Sequence, residues 1–156
     1  MHVGSKEGMR IWPTENFAQI AGELSKLSNL KILLFGTGIE NYLIKDFEQF
    51  NGKNIINLIK KTTISQTTEA ISRCRLFITT DSGPMHMAVA AGTKVIAIYL
   101  GPHIRRTSPF GDEHVVFVQK QACYDDFYGK YKNKNHIYCD DITSEMLMVK
   151  IMENLP

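Results

Sequence analysis

Short runs rich in Ile, Val, Leu and Phe recur along this chain, at residues 30–35, 54–59, 76–80, 95–100 and 115–118, and a shorter one opens it at His2 and Val3. They do not alternate with polar residues, as strands with one wet face do, so they predict parallel strands buried on both faces. Between them, apolar residues return at helical spacing. Phe17, Ile20, Ala21, Leu24 and Leu27 mark one face of a helix, with Thr14 as the expected N-cap and Glu15 in the first turn. Residues 39–50 and 64–74 predict two more helices, residues 84–91 a short one ended by Gly92, and residues 144–155 a last one. The order β-α-β-α-β-α-β-α-β-β-α predicts an α/β fold, a Rossmann-like parallel sheet with helices on both faces. Such sheets bind ligands beyond the carboxyl ends of their strands, so the chemistry is to be sought in loops that follow strands. Residues 120–141 carry no clear period and are read as one long irregular stretch, of the length that is commonly functional.

A chain of 156 residues without an internal repeat or a linker-like segment suits a single domain over residues 1–156. Its 18 basic and 16 acidic side chains nearly balance, which argues against a nucleic-acid binder held by counterion release. The longest apolar run, residues 94–100, is far below the roughly 20 residues that span a bilayer. The opening residues have neither a basic segment leading into an apolar one nor a small-residue cleavage site, so the expected location is the cytoplasm. Cys74, Cys123 and Cys139 are too few and too scattered for a disulfide scaffold and are expected to be reduced thiols.

The most informative segment runs from Ile78 to Gly92, where an apolar strand passes through Asp81-Ser82-Gly83 into a helix with Pro84 near its first position. That geometry aims free backbone N–H groups and the positive end of the helix dipole at the space above the sheet, where a phosphate binds well. Ser82 offers a hydroxyl, and Gly83 lets an anion approach the backbone without a Cβ in the way. The same residues also fit a plainer role, with Asp81 or Ser82 doing no more than capping the helix.

The run Asp81-Ser82-Gly83-Pro84-Met85-His86-Met87-Ala88-Val89, followed by Gly101-Pro102, Arg106 and Pro109-Phe110-Gly111, resembles the C-terminal signature of family 9 glycosyltransferases. Upstream, His2-Val3-Gly4-Ser5, then Arg10 and Trp12-Pro13, is similar to that family's small-residue loop, basic residue and Trp-Pro helix start. Phe35-Gly36-Thr37-Gly38-Ile39-Glu40 is similar to its Gly-rich turn ending in an acid.

The resemblance implies the C-terminal half of a GT-B fold, and a heptosyltransferase that adds a sugar from an ADP-linked donor, a heptose in the family, to a lipopolysaccharide core acceptor with inversion. It implies that Ser5, Arg10, Ser82 and Gly83 bind the donor diphosphate, that Glu40 holds a ribose hydroxyl, and that Asp81 and His86 face the donor sugar. The acceptor site and the catalytic base would lie on an N-terminal domain absent from this sequence, so no catalytic residue is expected in this half. The resemblance also implies no cofactor and no metal, and at most peripheral contact with the inner face of the inner membrane. Residues 60–63, which it places near the nucleotide base, are Lys60, Lys61, Thr62 and Thr63 rather than an apolar platform, so the base is left open.

Other readings weigh less. Gly36-Thr37-Gly38 lacks the third glycine and the distant acid of a dinucleotide fingerprint. Asp81, Ser82 and His86 lie too close in sequence for Asp to orient His against Ser as in a hydrolase triad. Asp125-Asp126 and Asp140-Asp141 are read as solvated acids. Tyr124, Phe127, Tyr128 and Tyr131 among lysines are read as an ordered loop packed on the domain. Two functional alternatives stay open: a non-catalytic nucleotide-sugar-binding module, and another GT-B enzyme such as a UDP-sugar epimerase.

Overall fold

The computed structural model describes residues 1–4, 12–36, 47, 54–101, 104–120 and 135–155. In chain order the elements are α1 (Thr14–Ser25), β1 (Ile32–Leu34), β2 (Ile55–Asn57), α2 (Ile64–Ser72), β3 (Leu76–Thr80), α3 (Gly83–Ala90), β4 (Lys94–Tyr99), α4 (Ile104–Thr107), β5 (Val115–Gln119), β6 (His136–Cys139) and α5 (Ser144–Asn154).

All strand pairings are parallel. β1 pairs with β2, and β3, β4, β5 and β6 lie side by side in that order. The two blocks are joined by the first residues of the chain. His2 bridges Phe35 on one side and Thr79 on the other, its amide donating to the Ile78 carbonyl at 3.0 Å while the Phe35 amide donates to Met1 at 2.9 Å. The expected first strand is therefore present as a short central insertion.

Alternation along the strands builds the core in two layers. In β4, Ile96 and Ile98 face the layer of α1 and α5 with Phe17, Ile20, Leu24, Leu147 and Ile151. Val95, Ala97 and Tyr99 face the layer of α2 and α3 with Ile71, Met85 and Ala88. Both faces of β4 are apolar because both are covered, and each such buried aliphatic side chain stabilises the fold by about 1.5–3 kcal/mol. Gly92 closes α3 with φ of 75°, a left-handed conformation that glycine adopts without a Cβ penalty.

The expected helix at residues 39–50 lies outside the described residues apart from Phe47, which is helical and buried. Three expectations need correction. Residues 54–59 do not form a strand buried on both faces, because β2 is half-buried at Ile55 and Asn57 and exposed at Ile56. Thr14 is not the N-cap of α1. It is the first helical residue and is buried, while Pro13 holds the cap position, and among the described residues no side chain caps the helix. Residues 120–141 are not irregular throughout, since β6 pairs with β5 along the edge of the sheet. The one-turn α4 was also not expected. Among the described residues no helix is long and apolar enough to cross a membrane.

Candidate functional site

The strands all run the same way, so the turns after β1, β2 and β3 emerge on one edge of the sheet. The turn after β3 carries Asp81, Ser82 and Gly83. Asp81 is 5% exposed, and its amide donates to the Ile98 carbonyl at 3.2 Å, which fixes the turn to the end of β4. Ser82 occupies the N-cap position of α3 in an extended conformation, φ −154° and ψ 162°, followed by Gly83 and Pro84 in the first turn. The site thus has a helix N-terminus beyond a strand end, with the partial positive charge that arrangement provides.

Serine in this position ordinarily accepts from an amide of the first turn. Here the Ser82 side chain makes no such bond to α3. The Ser82 Oγ lies 3.0 Å from Thr79 Oγ1 and 3.4 Å from His2 Nδ1, both on the sheet side of the turn. Thr79 in turn donates to the Thr80 carbonyl at 3.0 Å, and Thr80 donates to the Gly4 carbonyl at 3.2 Å. A Cβ added at Gly83 would meet nothing within 4 Å among the described residues. His86 lies one turn further along α3 and is exposed.

Of the sequence-predicted site residues, the structure thus brings Asp81, Ser82 and Gly83 together at one turn, with His86 on the following helix. Ser5, Arg10 and Glu40 lie outside the described residues. The positions from which two of these segments depart are nevertheless fixed. Gly4, which precedes Ser5, is held by Thr80 next to Asp81, and Gly36, which opens the Gly-rich turn, accepts from the Lys60 amide at 3.2 Å. Lys60 has φ of 60°, left-handed for a residue with a side chain, and this bend brings the turn after β2 back to the turn after β1. Trp12 is buried, donates to the Ile142 carbonyl at 2.9 Å and stands edge-on to Phe17 at 4.8 Å, so the Trp-Pro start of α1 is anchored to the segment before α5.

Sequence reasoning missed His2, Thr79 and Thr80 as members of this edge. The signal was present, because two threonines in succession close an otherwise apolar strand, and both are fully buried.

The opposite edge of the sheet has a cavity of about 350 Å³ lined by Leu24, Leu30, Leu76, Ile151 and others, with Met1 and Cys74 in its wall. Burial there lowers the Met1 amine from its ordinary 8.0 to about 5, and raises the Cys74 thiol. Cys139 is raised by burial and then by Asp141. Both thiols are therefore poorly nucleophilic.

The sequence profile of Glycosyltransferase family 9 (heptosyltransferase) matches residues 1–137. Lipooligosaccharide heptosyltransferase 2 of Campylobacter jejuni is 32% identical over 142 residues, which cover 88% of this chain and 44% of that protein. The crystal structure of a family 9 glycosyl transferase from Veillonella parvula superposes with a TM-score of 0.77 at 27% identity, over 97% of this chain and 43% of that one. The ADP-heptose lipopolysaccharide heptosyltransferase II of Escherichia coli has the same fold, with a TM-score of 0.75 at 21% identity over 98% of this chain and 44% of that one. The chain spans less than half the length of these relatives. With a Rossmann-like parallel sheet, the Asp-Ser-Gly turn at its carboxyl edge and a family match over most of its length, this chain belongs to glycosyltransferase family 9.

Proposed function

We propose that this chain is the C-terminal, donor-binding half of a heptosyltransferase, which holds an ADP-linked heptose for inverting transfer to a lipopolysaccharide core acceptor. The observation that carries this reading is the uncapped first turn of α3 beyond β3, within the family signature and beside the point where the Gly4 loop leaves the sheet. Backbone amides at Ser82 and Gly83 and the side chains of Ser5 and Arg10 would bind the diphosphate. Preorganised donors of this kind stabilise the charge that develops as a diphosphate departs. Glu40 would accept from a ribose hydroxyl, and Asp81 and His86 would meet the donor sugar. The names of the relatives, one of them an ADP-heptose enzyme, support the choice of donor. Acceptor and catalytic base belong to the other half of the enzyme in this reading, which needs no metal on this half.

Calorimetry with ADP and with ADP-heptose, both in EDTA, tests it on the wild type and on Asp81→Asn. The wild type should bind ADP in preference to UDP or GDP. Asp81→Asn should weaken the ADP-sugar by roughly tenfold, the equivalent of a hydrogen bond to a charged group, and leave ADP unchanged or slightly tighter. Equal effects on both ligands would remove Asp81 from the sugar site, and absence of ADP binding to the wild type would overturn the reading as a whole.

A further inference from the structure

We infer that Thr79 and His2 are positioning residues that hold the Ser82 hydroxyl against the sheet and thereby keep the first turn of α3 open to an anionic group of the ligand. The inference rests on the reading of that turn as the diphosphate site.

Serine is among the residues that cap helices best, and the backbone at Ser82 has the extended conformation from which a cap acts. Of the two amides an N-cap side chain reaches, the second and third of the helix, the second belongs to Pro84 and has no hydrogen. The Met85 amide is the one target left, and it reaches the Ser82 carbonyl at 3.1 Å instead. The hydroxyl has turned the other way.

The hydrogens along this path can be assigned. Thr79 commits its hydroxyl hydrogen to the Thr80 carbonyl, so Ser82 donates to Thr79. Ser82 then has a lone pair for His2, which places a proton on Nδ1. The chain of donors runs from His2 through Ser82 and Thr79 to the Thr80 carbonyl. Thr79 is fully buried in a strand whose earlier residues are apolar, where valine would match its shape without a polar atom to satisfy. What the hydroxyl of Thr79 adds is an acceptor that draws Ser82 inward. Were Ser82 to cap α3, its lone pairs would lie over the mouth of the helix and repel an anion there. Serine, threonine and histidine thus act together to leave a helix end bare.

The test uses the whole chain, ADP as the probe in EDTA, and hydrogen exchange at the Met85 amide, which needs no ligand. Thr79→Val should weaken ADP about fivefold, the equivalent of one ordinary hydrogen bond, and slow Met85 exchange as the freed hydroxyl caps the helix. Thr79→Ser should keep both wild-type values. Thr79→Val combined with Ser82→Ala, which has no hydroxyl to cap with, should recover affinity relative to Thr79→Val alone. A double variant no tighter than the single one, or a Thr79→Val protein with unchanged Met85 exchange, would overturn the positioning role. If Thr79→Val does not fold, His2→Phe keeps a ring of similar size while removing Nδ1. It should shift affinity and exchange in the same direction, and Ser82→Ala should reverse the shift. Wild-type protein that binds no ADP would overturn the diphosphate reading and the purpose assigned here, whereas unchanged Met85 exchange in Thr79→Val overturns the positioning alone.

Discussion

Helices α2 and α3 both begin at the carboxyl edge of the sheet behind a hydroxyl residue in extended conformation, yet the two hydroxyls are used differently. At α2, Thr63 Oγ1 accepts from the Gln66 amide at 3.2 Å and the Gln66 side chain returns to the Thr63 amide at 2.9 Å, a complete capping box. At α3, Ser82 turns to Thr79 and His2, and the first turn has no side-chain cap. Thr143 at α5 behaves as Thr63 does, accepting from the Met146 amide. Residue type alone therefore does not decide whether a helix start is closed. What decides it is whether the strand beneath offers the hydroxyl a better partner. Only β3 offers one among these three helix starts, and it does so at the turn that carries the family signature.

The largest expected effect falls on the short first strand that underlies the α3 turn and joins the two strand blocks. The Met1 amine donates to the Leu33 carbonyl and lies near Cys74, with Lys31, Arg73 and Arg75 also lining the adjoining cavity. Burial lowers its pKa to about 5, while in the unfolded chain it keeps its ordinary 8.0. Between these values the unfolded chain binds more protons, so stability rises with pH across this window and is lost as pH falls through it. At 1.36 kcal/mol per pKa unit the loss on going from pH 8 to pH 5 is up to about 4 kcal/mol. Urea denaturation at a series of pH values should show this slope in a chain with a free amine at Met1. An Nα-acetylated chain, which has no charge to bury, should lack it. A slope that survives acetylation would assign the pH dependence to other groups.

The next effect concerns α2 itself. Thr63→Ala removes a working cap and should cost about 1 kcal/mol of stability, with faster exchange at the Gln66 amide. Smallest of all is Ser82→Ala, which removes no cap. It should cost about 0.5 kcal/mol, because Thr79 keeps the Thr80 carbonyl as a partner, and it should leave Met85 exchange where it was. If Ser82→Ala speeds exchange at Met85 as Thr63→Ala does at Gln66, the contrast between the two helix starts fails.

Much of the fold was legible because burial on both faces leaves a plain record. Apart from Thr79 and Thr80, residues 76–80 and 95–100 are apolar on both sides of the pleat, as central parallel strands are, and the structure places β3 and β4 there nearly residue for residue. Edge strand β6 was harder to see. Ile137 and Cys139 pack toward one layer and Tyr138 toward the other, but all four residues are only half-buried, and the mixed sequence reads as loop. Thr14 misled for a different reason. A hydroxyl residue behind proline suits a cap, yet Pro13 itself can hold that position, and Thr14 is buried. At the site, Asp81, Ser82 and Gly83 were readable from local order, since strand, turn and helix follow one another in sequence. The partners of Ser82 were not equally so, because the contact with His2 joins residues 80 apart and depends on which strand lies next to β3. Local patterning carries no information about strand order.

His2 has one more consequence, for the order in which the chain acquires its structure. Residues 1–3 are made before the strands on either side of them, yet their place is in the middle of the sheet, between β1 and β3. The bridge from His2 to Thr79 closes a loop that holds α1, β1, β2 and α2, so it cannot form until Thr79 has been made. Contacts so distant in sequence form late and slowly, because the entropy of closing the loop must be overcome before any bond is gained. Until then β1 and β3 expose unpaired edges to each other and to other chains. Residues 1–3 thus complete the sheet late, and the same step that joins the two strand blocks brings His2 beneath the turn that opens α3.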